Sequence, residues 1–303
     1  MHTPEADIAS DADLVATLIA AQHPDLAGPL TLVSDGWDNL IYRLGDAYAV
    51  RIPRRDVAAH LIEHEQQVLP AFAARVGVTI PAPVRNGVPS ELFPFAWSIV
   101  PWVDGIDGAD LTAAERASIA LPLAAFVAAL HEPASGDFPA NPVRGVPLAT
   151  RDAAVQERLR HLSTRMEVGH LTATWRDALD APVWEGPPIW LHGDLHPGNL
   201  VLTPDRSRLA AVIDFGDVTA GDPATDLATA WLTFDPDART RFRRRLDDLS
   251  PTDDATWRRA AGWAVAMGSA LAAHSDDNPR MASLGRHALA QLAAMPGRPT
   301  TPG

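Results

Sequence analysis

Residues 190–202, WLHGDLHPGNLVL, set two histidines, an aspartate and an asparagine between two hydrophobic runs. The first run reads as a strand ending near Leu191, after which His192, Gly193 and Asp194 enter a loop. Such a loop is a metal cluster, a catalytic loop or an ordinary turn. Zinc asks for three or four ligands and, in a catalytic site, a bound water. His192, Asp194 and His196 supply at most three, and no H-E-x-x-H pattern occurs in the chain. The metal-dependent hydrolase is the lesser reading, and it predicts zinc in the purified protein.

Asp194 and Asn199 stand in a D-x-x-x-x-N spacing. Twenty residues beyond Asp194 comes Asp214, in AVIDFGD, again an acid where an apolar strand runs into a glycine loop. Phosphoryl transfer needs this set: one carboxylate to orient a hydroxyl and accept its proton, and an oxygen donor with a second carboxylate to hold Mg2+. The protein-kinase pattern H-R-D, then N, then D-F-G has the same spacing and order. Asp194 is thus the candidate catalytic residue, and Asn199 and Asp214 are the candidate metal ligands. His192 reads as a structural hydrogen-bond partner. Asp222, just before Pro223, reads as a helix N-cap.

The rest of the chain narrows the class. Its 303 residues make two domains the better expectation, and no cysteine is present, which excludes disulfides, thiolate metal sites and a cysteine nucleophile. The formal net charge of −13 argues against a broad basic face for nucleic acid, and is compatible with a cationic ligand. All 25 basic residues are arginine, so any task usual for lysine falls to a guanidinium. The first eighteen residues lack the basic and apolar regions of a signal peptide. The apolar run 117–130 is too short for a span and contains Pro122, so it reads as a buried helix. No membrane association is expected, and the cytoplasm is the expected compartment.

Patterning predicts a helix over 11–22, strands near 30–34, 39–44 and 47–52, a helix over 56–75 and a strand at 96–100. From 111 onward the texture is helical, over 111–131, 151–180, 224–234, 237–248, 254–273 and 280–295, interrupted by the opening stretch and by 209–223. The Pro- and Gly-rich residues 132–150 read as a loop or lid. Strands followed by helices predict an α+β, two-lobed architecture, with an N-terminal lobe over 1–101 and a helical C-terminal lobe over 102–303.

HGDLHPGN together with IDFGDVTAGDPATDLA resembles the aminoglycoside phosphotransferase family, whose fold is protein-kinase-like. That resemblance implies a small β-rich N-lobe, a larger helical C-lobe, Mg2+ and ATP or GTP as co-substrate. It implies a turn over the phosphates at SDGWDN, with Gly36 and Asn39, and a cation at Arg51 paired to a helix acid, of which Glu65 aligns better than Glu63. It places the purine on a hinge after the gate residue Val100, with the Pro101 carbonyl and the Val103 backbone as partners, while Trp97 and Trp102 are packing residues. Asp226 would support the catalytic loop. The acceptor is then a small hydroxylated molecule, an antibiotic such as an aminoglycoside, or alternatively a macrolide, a peptide antibiotic or a metabolite. Phe215, where macrolide enzymes more often carry Trp, leans toward the former. A cationic acceptor would find carboxylates among Asp217, Asp235, Asp237, Asp276 and Asp277. A nucleotide-binding pseudoenzyme is the rival from another class.

Overall fold

The computed structural model describes residues 7–8, 10–36, 38–275 and 278–294. The first helix, α1 (Ala12–Gln22), starts at Asp11, whose carboxylate accepts the Leu14 N–H at 2.9 Å. There follow β1 (Leu30–Asp35), β2 (Asn39–Leu44), β3 (Tyr48–Pro53), α2 (Asp56–Ala73), β4 (Arg85–Gly87) and β5 (Trp97–Pro101). The strands form one antiparallel sheet in the order β1-β2-β3-β5-β4. Because side chains alternate along a strand, Tyr42, Leu44, Val50, Ile52, Trp97 and Ile99 all turn to one face, where Val15, Leu18 and Ile19 of α1 close a core. The same alternation sends Ile41, Arg51 and Ser98, which are cross-strand partners, to the opposite face, toward α2.

The chain then crosses through β6 (Ile106–Asp107) into a helical lobe. Helices α3 (Ala113–Arg116), α4 (Ala120–Leu130), α5 (Asp152–Leu162) and α6 (Gly169–Leu179) come first. Next are β7 (Ile189–Leu191), β8 (Leu200–Leu202), β9 (Leu209–Val212) and β10 (Thr219–Gly221). The last five helices are α7 (Ala224–Leu227), α8 (Thr229–Thr233), α9 (Pro236–Leu249), α10 (Asp254–His274) and α11 (Pro279–Ala293). The alanine-rich α10 is the axis of this lobe, buried along most of its length against α5, α6, α7 and α11. Strands β6, β8 and β9 form one small sheet and β7 pairs with β10 in another. The two apolar runs of the opening stretch therefore belong to different sheets, and residues 192–199 bridge them.

The helix expected over 111–131 is broken. Thr112 and Glu115 form a capping box for α3, and a 3-10 turn at Ala117–Ile119 separates it from α4. Two causes are visible. Pro122 lacks the N–H a continuous helix would use, so it suits only a first turn, and Arg116 turns inward to donate to the carbonyls of Gly108, Leu111 and Thr233. Ala113–Leu130 is long and apolar enough to cross a membrane by composition, and here α4 packs its buried face against α9. The expected 151–180 helix is likewise two, α5 and α6, with Glu167 accepting the Gly169 N–H at the restart. Strands β4 and β6 are too short for sequence patterning to announce.

Asp222 does accept the Ala224 N–H at 3.1 Å, but its main partner is Arg259. The guanidinium meets the carboxylate through Nε–Oδ2 at 2.6 Å and Nη2–Oδ1 at 3.1 Å, with both residues buried. Removing one member of such a pair strands the other charge, so Arg259→Met should cost about 3–5 kcal/mol in thermal or denaturant unfolding. The double variant Asp222→Asn/Arg259→Met should recover part of that loss, since no uncompensated charge remains.

Candidate active site

A cleft of about 540 Å³ lies between the lobes. Gly36, Asn39 and Arg51 line it from the sheet, Pro101 and Val103 from the connection, and Asn199 and Asp214 from the helical lobe. Its size suits a nucleotide-sized ligand. Glu65 pairs with Arg51, and Asp194 is joined to Asn199, whose side-chain amide donates to its carbonyl.

Arg51 projects from β3 on the α2 side because its neighbours Val50 and Ile52 are committed to the core. It is buried, and its Nη2 lies 3.0 Å from Glu65 Oε1 and 3.9 Å from Asp214 Oδ1. A solvent-exposed arginine is thereby ruled out. Burial pushes the Glu65 carboxyl up to about 7 against the pull of Arg51, and the Phe215 backbone N–H also reaches it. One acid thus ties strand, helix and the Asp214 loop together. Arg51 Nε and Asn39 Oδ1 are buried without a hydrogen-bond partner. Unpaired buried polar atoms are costly, and both residues line the cleft. Arg54, by contrast, is spent on the turn: it donates to the Gly36 carbonyl at 2.6 Å and pairs with Asp35, while Arg55 pairs with Asp38.

At the connection the Trp102 N–H donates to the Ala47 carbonyl at 2.8 Å, so Pro101, opposite Tyr48, falls between bonded pairs. Its missing N–H costs nothing there, and its carbonyl lies beyond the end of β4, facing the cleft. Trp97 is fully buried in the sheet core. Trp102 carries Arg43 over its ring at 4.9 Å.

The 192–199 loop hangs on Asp226. This fully buried carboxylate accepts the His192 N–H at 2.8 Å, the Gly193 N–H at 2.9 Å and the His131 Nε2 at 3.1 Å. Burial opposes its ionisation, yet His131 and the loop donors hold it below the usual carboxylate range. Gly193 adopts φ +87, and a Cβ there would stand 2.2 Å from the Asp217 carbonyl oxygen, so only glycine fits. His192 accepts the Asp194 N–H at Nδ1 and donates from Nε2 to the Ile213 carbonyl. His196 accepts the Gly198 N–H at Nδ1, and its Nε2 lies 3.3 Å from Asp194 Oδ2. Burial lowers the His196 pKa and Asp194 raises it, with a net upward direction; the neutral ring satisfies both nitrogens and is the form this geometry supports. Neither histidine has a nitrogen left for a metal, and no cluster of three or more metal-ligating acids, histidines or cysteines occurs among the described residues.

Mg2+ asks for less, because one or two protein oxygens plus phosphates suffice. The Asn199 Nδ2 donates to the Asp194 carbonyl at 2.8 Å, which leaves its amide oxygen for a cation. Asp214 has an exposed side chain and a left-handed backbone, φ 61, at the point where β9 gives way to the loop. An amide oxygen and a carboxylate on one cleft wall fit a hard cation.

Sequence reading missed the groups that meet Asp194 from the 132–150 loop. Arg144 Nη2 lies 2.7 Å from Asp194 Oδ1, and its Nε lies 3.4 Å from Asp217 Oδ2. Asn141 donates to Asp217 Oδ1 at 2.8 Å and accepts the N–H groups of Val143 and Arg144. Burial works to raise the Asp194 carboxyl, but Arg144 and then His196 carry it well below the usual range. Of the other candidate acids, Asp235 caps α9 through the Ala238 N–H, Asp237 is exposed in the first turn of that helix, and Asp276 and Asp277 lie outside the described residues.

The family model described as Phosphotransferase enzyme family (APH) matches residues 29–263. Aminoglycoside 3'-phosphotransferase of Streptomyces fradiae is 29% identical over 168 residues, which are 52% of this chain and 59% of that relative, so the match spans well under two thirds of its length. The GDP complex of wild-type aminoglycoside 2'-phosphotransferase-IIIa superposes with a TM-score of 0.66 at 21% identity, covering 94% of this chain and 99% of the other. Macrolide 2'-phosphotransferase from Brachybacterium faecium does so with 0.58 at 20% identity, covering 95% and 99%. These likenesses show the two-lobed, kinase-like fold.

Asp226→Ala should leave two loop N–H groups without their acceptor. At about 1–3 kcal/mol for each unsatisfied group, the variant should lose several kcal/mol in unfolding. Hydrogen exchange at residues 192–194 should rise with it, and retained protection there would contradict the anchoring role.

Proposed function

The chain belongs to the phosphotransferase enzyme family, and from that membership and the cleft geometry we propose that it moves the γ-phosphoryl group of ATP or GTP to a hydroxyl of a small molecule, of the antibiotic kind for which its relatives are named. The observation that carries this reading is the convergence of Asn199 and Asp214 on a cleft that Arg51 lines from the sheet, with Asp194 tied to Asn199 through its backbone carbonyl.

In the reaction the acceptor oxygen attacks the γ-phosphorus as the bond to the β,γ-bridging oxygen breaks, and the nucleoside diphosphate leaves with the electron pair. Asp194 orients the hydroxyl and takes its proton, a late event in a loose transition state. Arg51, steadied by Glu65, holds phosphate oxygens with a planar fork. Gly36 and Asn39 belong to the turn over the phosphates. The Pro101 carbonyl and the Val103 backbone receive the purine. Asn199 and Asp214 would hold Mg2+, which when bound neutralises charge on the phosphates. The work left to the protein is positioning and electrostatics. A cytoplasmic site, where nucleoside triphosphates are plentiful, accords with this reading.

A panel of hydroxylated antibiotics and metabolites, scored by mass for a phosphate adduct with each nucleotide, tests the activity. Asp194→Asn should keep nucleotide binding and cut turnover by about 10²–10⁴; near-wild-type turnover would sink the assignment. Asp214→Ala should weaken magnesium-dependent nucleotide binding more than Asn199→Ala, because a carboxylate is the stronger ligand for a hard cation. Arg51→Ala and Glu65→Ala should be strongly non-additive in turnover, since each acts through the other. Effects that simply multiply would detach Arg51 from the phosphates.

A further inference from the structure

Residues 60–64 of α2 read HLIEH, two histidines one helical turn apart with an acid between them. The same order, H-x-x-E-H, occurs in zinc enzymes whose helix offers two imidazoles to one metal. Residues four apart in a helix stand one above the other on a single face. Leu61 points toward the Asp214 loop, its Cδ1 lying 3.7 Å from where a Cβ on Gly216 would stand, and Glu65 turns inward to Arg51. His60 and His64 are thereby left on the flank that the core does not cover. His60 is exposed and His64 half-buried, while Ala58, Ile62, Val68, Leu69 and Phe72 are buried on the other side.

The two rings lie 5.2 Å apart, centroid to centroid, with their planes at 80°. Zinc holds imidazole nitrogens at about 2.0–2.1 Å in a tetrahedral arrangement, which separates the centres of two bound rings by about 5 Å. The spacing of a bidentate site is thus already present. Aligning the nitrogens asks only for rotation about χ2, a soft torsion in histidine. Neither ring makes a hydrogen bond or ion pair among the described residues, so neither gives one up on binding. Burial, and then His60, lower the His64 pKa against the pull of Glu63, which favours the neutral ring that a metal needs. The Glu63 carboxylate, exposed and near enough to act on His64, offsets part of a cation's charge.

We propose that His60 and His64 form a bidentate site for a transition-metal cation of the zinc, nickel or copper class. Imidazole suits these metals, whereas Mg2+ takes oxygen donors such as those of Asn199 and Asp214. No group of three acids, histidines or cysteines that could hold a metal occurs among the described residues, so water completes the coordination and the role is binding, not hydrolysis. The metal bridges the turn of α2 that precedes Glu65, alongside the hydrogen bond from the His64 N–H to the His60 carbonyl. Arg55 gives α2 no side-chain cap, so the start of this helix gains from such a clamp.

The test uses the full chain, purified without a polyhistidine tag and stripped of metal by a chelator. Calorimetric titrations with Zn2+, Ni2+ and Mg2+ compare the wild type with His60→Gln, His64→Gln and His170→Gln, the last changing an exposed histidine on α6. The metal-free variants should melt with the wild type, since the changes leave the core untouched. The wild type should take one Zn2+ or Ni2+ per chain, and excess Mg2+ should not displace it. His60→Gln and His64→Gln should each weaken binding by at least the roughly 10–100-fold that loss of a supporting partner costs a metal site. His170→Gln should leave it unchanged. Amide hydrogen exchange over residues 60–66 should slow on addition of Zn2+ in the wild type and in neither of the first two variants. Absence of Zn2+ binding in the wild type, binding that either His60→Gln or His64→Gln leaves intact, or displacement by Mg2+ overturns the site. Exchange that bound Zn2+ does not slow overturns the clamp.

Discussion

Asp226 is a charged group with no access to solvent, surrounded by two backbone N–H donors of the 192–194 turn and by His131. An ionised carboxylate in that environment is tolerable only while those donors stay in place, so the carboxylate and the turn require each other. The turn in turn fixes where Asp194 points. It also brings Gly193 against the Asp217 carbonyl, which sets the spacing between the two acidic loops. The 192–199 loop and the Asp214 loop thus share one foundation, and neither can shift without exposing or orphaning a buried charge.

A second tie reaches them from the sheet. Glu65 meets Arg51 on one side and the Phe215 backbone on the other, so the distance from β3 to the Asp214 loop is governed by a single buried acid. Phe215 adds packing to that link, lying 4.4 Å from the His192 ring and 6.5 Å from Phe72 of α2, centroid to centroid. Between these two ties two buried atoms, Arg51 Nε and Asn39 Oδ1, are left without hydrogen-bond partners, at a cost the rest of the structure must offset.

Much of the site was legible because its parts are local. The D-x-x-x-x-N spacing spans a single turn between two strands, and Asp214 follows at the end of the next strand pair, so chemistry and geometry are written in adjacent residues. Four of the five strands of the N-lobe sheet were legible from alternation, to within a residue at each end. What escaped notice depends on pairing over long separations. Arg144 and Asp194 are fifty residues apart, and nothing in FPANPVRGVPL distinguishes a guanidinium aimed at a carboxylate from one in water. Asp222 looked like a cap because Pro223 follows it; its true partner, Arg259, lies thirty-seven residues on. The break at 117–119 escaped because alanine-rich periodicity runs through it, while an inward arginine and a missing proline N–H decide the helix ends; the break at 163–168, STRMEV, escaped because no proline or glycine marks it before Gly169.

The two halves of the site differ in how finished they are. On the cleft side, Arg51 Nε and Asn39 Oδ1 are buried without hydrogen-bond partners. On the acceptor side, Asp194 has one oxygen on Arg144 and the other facing His196, and Asp217 is likewise satisfied. A ligand entering the first half gains contacts that nothing else was making. One entering the second must replace contacts already made, and therefore gains only the difference between its own interactions and those it displaces. Any group that enters beside Asp194 therefore competes with Arg144 for the carboxylate. With Asn141 and Thr225 holding the backbone on either side of it, that guanidinium is in position before any ligand arrives, so little ordering entropy remains to be lost.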